Sequence, residues 1–167
     1  SRAAQVLETG NPAMWRALRA RGAFLGRGHP GKVAFLYTGQ GSQYVNMLKT
    51  LRLQESVVAD TFAQADRVMT PLLGKPLTEF IFIDEADAEA VARLEQQLLQ
   101  TEITQPAGLA TDIALTRLLA TYGITPDIVM GHSLGEYGAL VAAGALSFEA
   151  ALEAVSARGS EMAHISV

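Results

Sequence analysis

Ile128-Val129-Met130-Gly131-His132-Ser133-Leu134-Gly135-Glu136-Tyr137 joins a short apolar run, a serine set between two glycines, and residues able to continue as a helix. Gly131-x-Ser133-x-Gly135 is the pattern of a nucleophile elbow, a sharp strand-to-helix turn that holds a hydroxyl out at the top of a sheet. Side chains at either glycine would collide where strand and helix come close. Pro126 and Asp127 open the segment, three consecutive apolar residues read as a buried strand, and Tyr137 to Ala143 follow without a proline. If one serine in this chain does chemistry, it is Ser133.

Upstream of the elbow, Thr104 to Tyr122 reads as the clearest helix. Thr104 caps it, Pro106 sits in its first turn, Leu109, Ile113, Leu115, Leu118 and Leu119 fill a core side, and Gly123 stops it. It is expected to lie buried against the sheet. Asp84 to Gln100 predicts an exposed amphipathic helix whose acidic start is solvated and holds no metal. Pro76 to Ile83 suits a short helix or a buried strand, with helix favoured, and Ser56 to Met69 predicts a helix ending before Pro71. Lys32 to Tyr37 is an apolar run of strand length leading into the polar loop Thr38-Gly39-Gln40-Gly41-Ser42-Gln43. Downstream, Ser147 opens a last helix through Ala151, Leu152, Val155 and Met162. At the other end, Asn11 and Pro12 open one short helix that Gly22 closes, and glycine and basic residues from Arg21 to Lys32 mark a linker.

Two segments follow: a linker over 1–31 with one short helix, and a domain over 32–167. Strands alternating with helices predict an α/β fold with a mostly parallel sheet flanked by helices. Ligands bind such sheets at the carboxyl ends of the strands, where the loops after Tyr37 and after Met130 emerge, so both are candidates for one site.

Composition narrows the function. Of 167 residues 49% are hydrophobic, enough for a real core, and the formal charge of -4 with no dense basic block argues against nucleic acid as a partner. The longest uncharged apolar run, Gly138 to Leu146, is far short of the roughly 18 residues a membrane span requires. With no cysteine there is no disulfide framework, thiolate nucleophile or thiolate metal site, which fits a cytoplasmic location. Ser1-Arg2-Ala3-Ala4 has neither an initiator methionine nor a signal-peptide pattern, as expected of a piece of a longer polypeptide.

A serine hydroxyl needs a base to take its proton and donors for the oxyanion it creates. At an elbow the Leu134 amide is one donor. The Gly39-Gln40-Gly41 turn is the candidate for the second, although a tight strand-to-helix connection accounts for that turn equally well. The base is harder to find. His29 lies in the linker, His132 adjoins the nucleophile and is expected to orient the turn, and His164 sits in a frayed helix end. All three read as structural or surface histidines, and Arg158 reads as a solvated helix arginine.

Four stretches in one order resemble the acyltransferase domains of polyketide and fatty acid synthases, including free-standing malonyl-CoA:acyl carrier protein transacylases. They are Lys32-Val33-Ala34-Phe35-Leu36-Tyr37-Thr38-Gly39-Gln40-Gly41-Ser42-Gln43-Tyr44, Thr104-Gln105-Pro106-Ala107, Gly131-His132-Ser133-Leu134-Gly135-Glu136-Tyr137 and Ala157-Arg158-Gly159. Thr38 departs mildly from the proline usual in that family. The resemblance covers about residues 32 to 167, with Ser1 to Gly31 similar to the linker that joins a ketosynthase to its acyltransferase.

The resemblance implies Ser133 as acylated nucleophile, Gln40 and the Leu134 amide as oxyanion hole, and Arg158 as a bidentate partner for the free carboxylate of a malonyl-type group. Gly131, His132, Gly135, Glu136, Gly39 and Gly41 form the supporting shell. Leu134, where methylmalonyl-selective domains commonly carry glutamine, leans toward malonyl. It also implies the hydrolase-like large subdomain without the ferredoxin-like small one, and a general-base histidine lying beyond these residues, so that the chain alone is expected to be inactive. No cofactor or metal is implied. Coenzyme A thioester is the substrate, the phosphopantetheine of an acyl carrier protein the acceptor, and an adjacent ketosynthase a neighbour. A serine hydrolase on the same elbow and a non-catalytic docking scaffold are the competing readings.

Overall fold

The computed structural model describes residues 2–9, 11–24, 26, 28–29, 31–84 and 88–165, and the side chains of all but 2, 3, 5 and 7 among these. Two compact units are present, Ser1–Gly31 and Lys32–Val167. In the first, two helices form where the sequence reading has one: α1 (Arg2–Thr9) and α2 (Pro12–Arg19). Val6 of α1 is buried, so α1 has an apolar anchor that its scattered sequence pattern conceals. The Asn11 side chain accepts a hydrogen bond from the Ala13 amide at 3.0 Å, capping α2 ahead of its first-turn proline.

The second unit is a helical layer on a small parallel sheet. β1 (Ala34–Tyr37) and β2 (Ile128–Gly131) pair in parallel, with Ala34 opposite Ile128, Leu36 opposite Met130 and Tyr37 opposite Gly131. Between them run α3 (Lys49–Gln54), α4 (Ser56–Leu73), a 3₁₀ turn (Leu77–Phe80), α5 (Ala88–Leu98) and α6 (Thr101–Thr121); α7 (Gly135–Ala142) and α8 (Phe148–Ile165) follow. The acidic helix expected from Asp84 is seen from Ala88, Asp84 itself being non-helical and residues 85–87 lying outside the described residues. α6 packs against α4 and α8, and Phe62, Met69, Leu109, Ile113 and Leu152 are among the buried side chains where the three meet. The result is an α/β fold, mostly helical, with a short parallel sheet.

Two helix ends differ from the sequence expectation. α4 runs past Pro71 to Leu73 and stops at Gly74, whose φ of 78° takes the left-handed conformation. A proline this near the end removes little of the hydrogen-bond ladder, so it does not terminate the helix. α6 starts at Thr101, three residues early, which places Pro106 beyond the first turn and Thr104 inside the helix rather than at its cap. There Thr104 Oγ1 donates to the Leu98 carbonyl, and the new first residue is held from outside, by a 2.7 Å bond from Thr101 Oγ1 to the Gly159 carbonyl on α8.

Candidate active site

Because Tyr37 pairs with Gly131, the segments that follow both strands leave the same edge of the sheet side by side. The His132 amide donates to the Tyr37 carbonyl at 3.2 Å, and a Cβ on Gly39 would stand 2.8 Å from His132 Nδ1. The two glycine-bearing loops are in contact.

Ser133 sits at the tip with φ 55°, a left-handed conformation that is uncommon for any residue with a side chain. The flanking glycines show what makes this turn possible. A Cβ on Gly131 would lie 2.1 Å from the Gly135 carbonyl carbon, and one on Gly135 would lie 2.3 Å from the Tyr37 carbonyl oxygen. Helix α7 thus starts directly against both strands. Glu136 reaches back, its carboxylate accepting the Ser133 amide at 3.2 Å, a favourable place for negative charge at a helix N-terminus.

Gln40 and Leu134 both border a cavity of about 50 Å³, together with Gly39, Thr104, Gly108 and Asp112. Gln43 Oε1 accepts the Gly41 amide at 2.8 Å and braces the loop. Asp112 lies behind it, its carboxyl pushed up to about 7 by burial. Neighbouring Tyr37 is raised as well, first by its own burial and further by the Asp112 charge. Thr116 Oγ1 already donates to the Asp112 carbonyl at 2.7 Å, so Tyr37 is the donor of its 2.8 Å bond to Thr116.

Arg158 is no solvated helix arginine. Its Nη2 donates to Ser133 Oγ at 2.9 Å and its Nη1 to Gln105 Oε1 at 2.7 Å. Gln105 Nε2 in turn lies 3.4 Å from Met162 Sδ. α8 brings the arginine there by crossing α6 closely: a Cβ on Gly159 would fall 2.5 Å from the Thr101 carbonyl oxygen. His29, His132 and His164 are exposed, and none hydrogen-bonds Ser133 among the described residues. No group of three or more His, Cys, Asp or Glu is placed to hold a metal ion among the described residues. Gln105 is the site residue that sequence reasoning left without a role. Its one signal was a polar side chain inside the apolar stretch that α6 buries.

The chain matches the acyl transferase domain family over residues 34–167. It belongs to that family. The malonyl CoA-acyl carrier protein transacylase of Bacillus subtilis (strain 168) is 46% identical over 131 residues, 78% of this acyltransferase chain and 37% of that protein. Polyketide synthase GfsA of Streptomyces halstedii is 39% identical over 132 residues, 79% of this chain and 2% of that protein. Among solved structures, a malonyl-transacylase in complex with its type II polyketide synthase acyl carrier protein superposes with a TM-score of 0.68 at 36% identity, over 82% of this chain and 40% of the other. This acyltransferase chain therefore spans well under two thirds of the length of each.

Proposed function

We propose that these residues carry the nucleophile, oxyanion donors and carboxylate clamp of an acyltransferase that moves a malonyl group from coenzyme A to an acyl carrier protein. The observation that supports it best is the Arg158 guanidinium at 2.9 Å from the hydroxyl of a left-handed elbow serine. In a three-carbon diacyl group the free carboxylate stands two bonds beyond the ester carbonyl, so an arginine touching Oγ needs only a small shift to meet it. A hydrolase acting on simple esters has no use for that charge.

Ser133 Oγ attacks the thioester carbonyl, the carbon–sulfur bond breaks, and the coenzyme A thiol leaves with the proton the serine gives up. The oxyanion formed on the way is received by the amides of Gln40 and Leu134. In the second half the carrier protein's pantetheine thiol attacks the serine ester, the bond from the acyl carbon to Oγ breaks, and the thiol's proton returns to Oγ. Both proton transfers call for a base, which we assign to a histidine outside these 167 residues, on the same or another polypeptide. A ketosynthase is the proposed neighbour and the cytoplasm the proposed location.

Intact-mass measurement tests the scheme. An acyltransferase containing these residues and the base should gain one malonyl group from malonyl-CoA and lose that gain in Ser133→Ala. The same enzyme with Arg158→Ala should shift its acceptance from malonyl toward acetyl. Rapid malonyl transfer by the 167-residue chain alone would refute the assignment of the base.

A further inference from the structure

We infer that Gln105 is the positioning residue of the carboxylate clamp: it holds one edge of the Arg158 guanidinium fixed while the other edge passes from Ser133 to the acyl carboxylate. The inference rests on the proposed role of Arg158. It goes further in stating what sets that arginine's orientation, and so the preference for a dicarboxylic acyl group.

The argument begins with burial. Gln105 is 0% exposed, and it lies on α6 in the midst of apolar neighbours such as Ile103, Ala107 and Leu109. Its amide therefore has to find partners within the protein. Oε1 accepts from Arg158 Nη1 at 2.7 Å, and among the described residues Nε2 meets the Met162 thioether at 3.4 Å, a weak acceptor. Arginine has donors alone, so it dictates which end of the amide faces it. Were Arg158 to swing out to solvent, the Gln105 oxygen would be left buried and unpaired. The guanidinium is held from behind by an acceptor that cannot leave.

The other contact is of a different kind. Ser133 is half-buried at the tip of the turn, and its bond to Nη2 is one that an acylated serine gives up. Among the described residues two of the five N–H donors of Arg158 are engaged, and the others can serve a carboxylate fork. Gln105 is neutral, so it orients the arginine without cancelling the charge that attracts the substrate. An acidic residue in its place would orient and neutralise together.

Calorimetric titration of the chain with malonyl-CoA and with acetyl-CoA tests this, using two variants. Gln105→Met keeps the volume and removes the oxygen, and Gln105→Glu keeps the oxygen and adds a charge. For both, the malonyl-over-acetyl affinity ratio should fall about tenfold or more, while acetyl-CoA affinity stays at its wild-type value. Nitrogen-15 spectra of wild-type protein should give separate Nη signals for a pinned Arg158 that merge in Gln105→Met. An unchanged ratio in Gln105→Met, or parallel loss of both ligands, overturns the positioning role. If Arg158→Ala abolishes the preference and Gln105→Met does not, only this inference fails. A wild-type chain without malonyl preference overturns the clamp and this inference together.

Discussion

At the scale of single residues, the site is made of side chains kept in states they do not prefer. Asp112 is the clearest case, with a carboxyl raised from 3.8 to about 7 because burial penalises its charged form. Between those values the folded chain holds a proton that the unfolded chain has released. By linkage, stability then falls as pH rises from about 4 to about 7 and levels off above, where both states are ionised. Asp112→Asn removes the titration. Urea midpoints measured across that range should therefore fall more steeply for wild type than for the variant, with the variant more stable by about 1–2 kcal/mol at pH 8. Equal slopes would show that Asp112 titrates as an ordinary surface acid.

Among the elements, the crossing of α6 and α8 places the clamp. Gly159 lets the helices meet, and Arg158 and Gln105 bond one step away from that contact. Gly159→Ala drives a Cβ into the Thr101 backbone, so α8 has to back away and take Arg158 with it. Overpacking of this kind costs about 1–3 kcal/mol. The unfolding free energy should fall by that amount in denaturant titrations, and malonyl-CoA affinity should fall more than acetyl-CoA affinity. The same crossing marks where the sequence stops being readable. The turn at Gly131, Ser133 and Gly135 was legible because its pattern is contiguous in sequence, whereas Glu136 was given a role only through family resemblance. Arg158 lies on a different helix, and its own neighbours on α8 gave no reason to set it apart from a solvated arginine, so its role entered through family resemblance. The true start of α6 was hidden too, since Thr101 is anchored by a carbonyl on α8 that no local pattern reveals.

For the second unit taken whole, the sheet has one finished face. Phe35, Tyr37 and Val129 turn toward the helices, whereas Leu36, Ile128 and Met130 on the opposite face are 72%, 55% and 58% exposed. Parallel sheets are ordinarily covered on both sides, and a bare apolar face is a place for association. The chain should bind a hydrophobic fluorescent dye and self-associate at micromolar concentration. Leu36→Lys with Met130→Lys should suppress both effects and leave the far-ultraviolet circular dichroism unchanged. A monomeric, dye-silent wild-type chain would contradict this.

Ser133 at φ 55° has a consequence for the protein's heredity. At most sites in regular structure glycine is the worse choice and alanine the better, by about 0.5–1 kcal/mol. Here the order should invert. Both replacements delete the hydroxyl and its bond to Arg158, but glycine alone relaxes in a left-handed turn, so Ser133→Gly should melt above Ser133→Ala. A lineage released from the need for acyl transfer would then drift toward glycine at this position and gain stability by doing so.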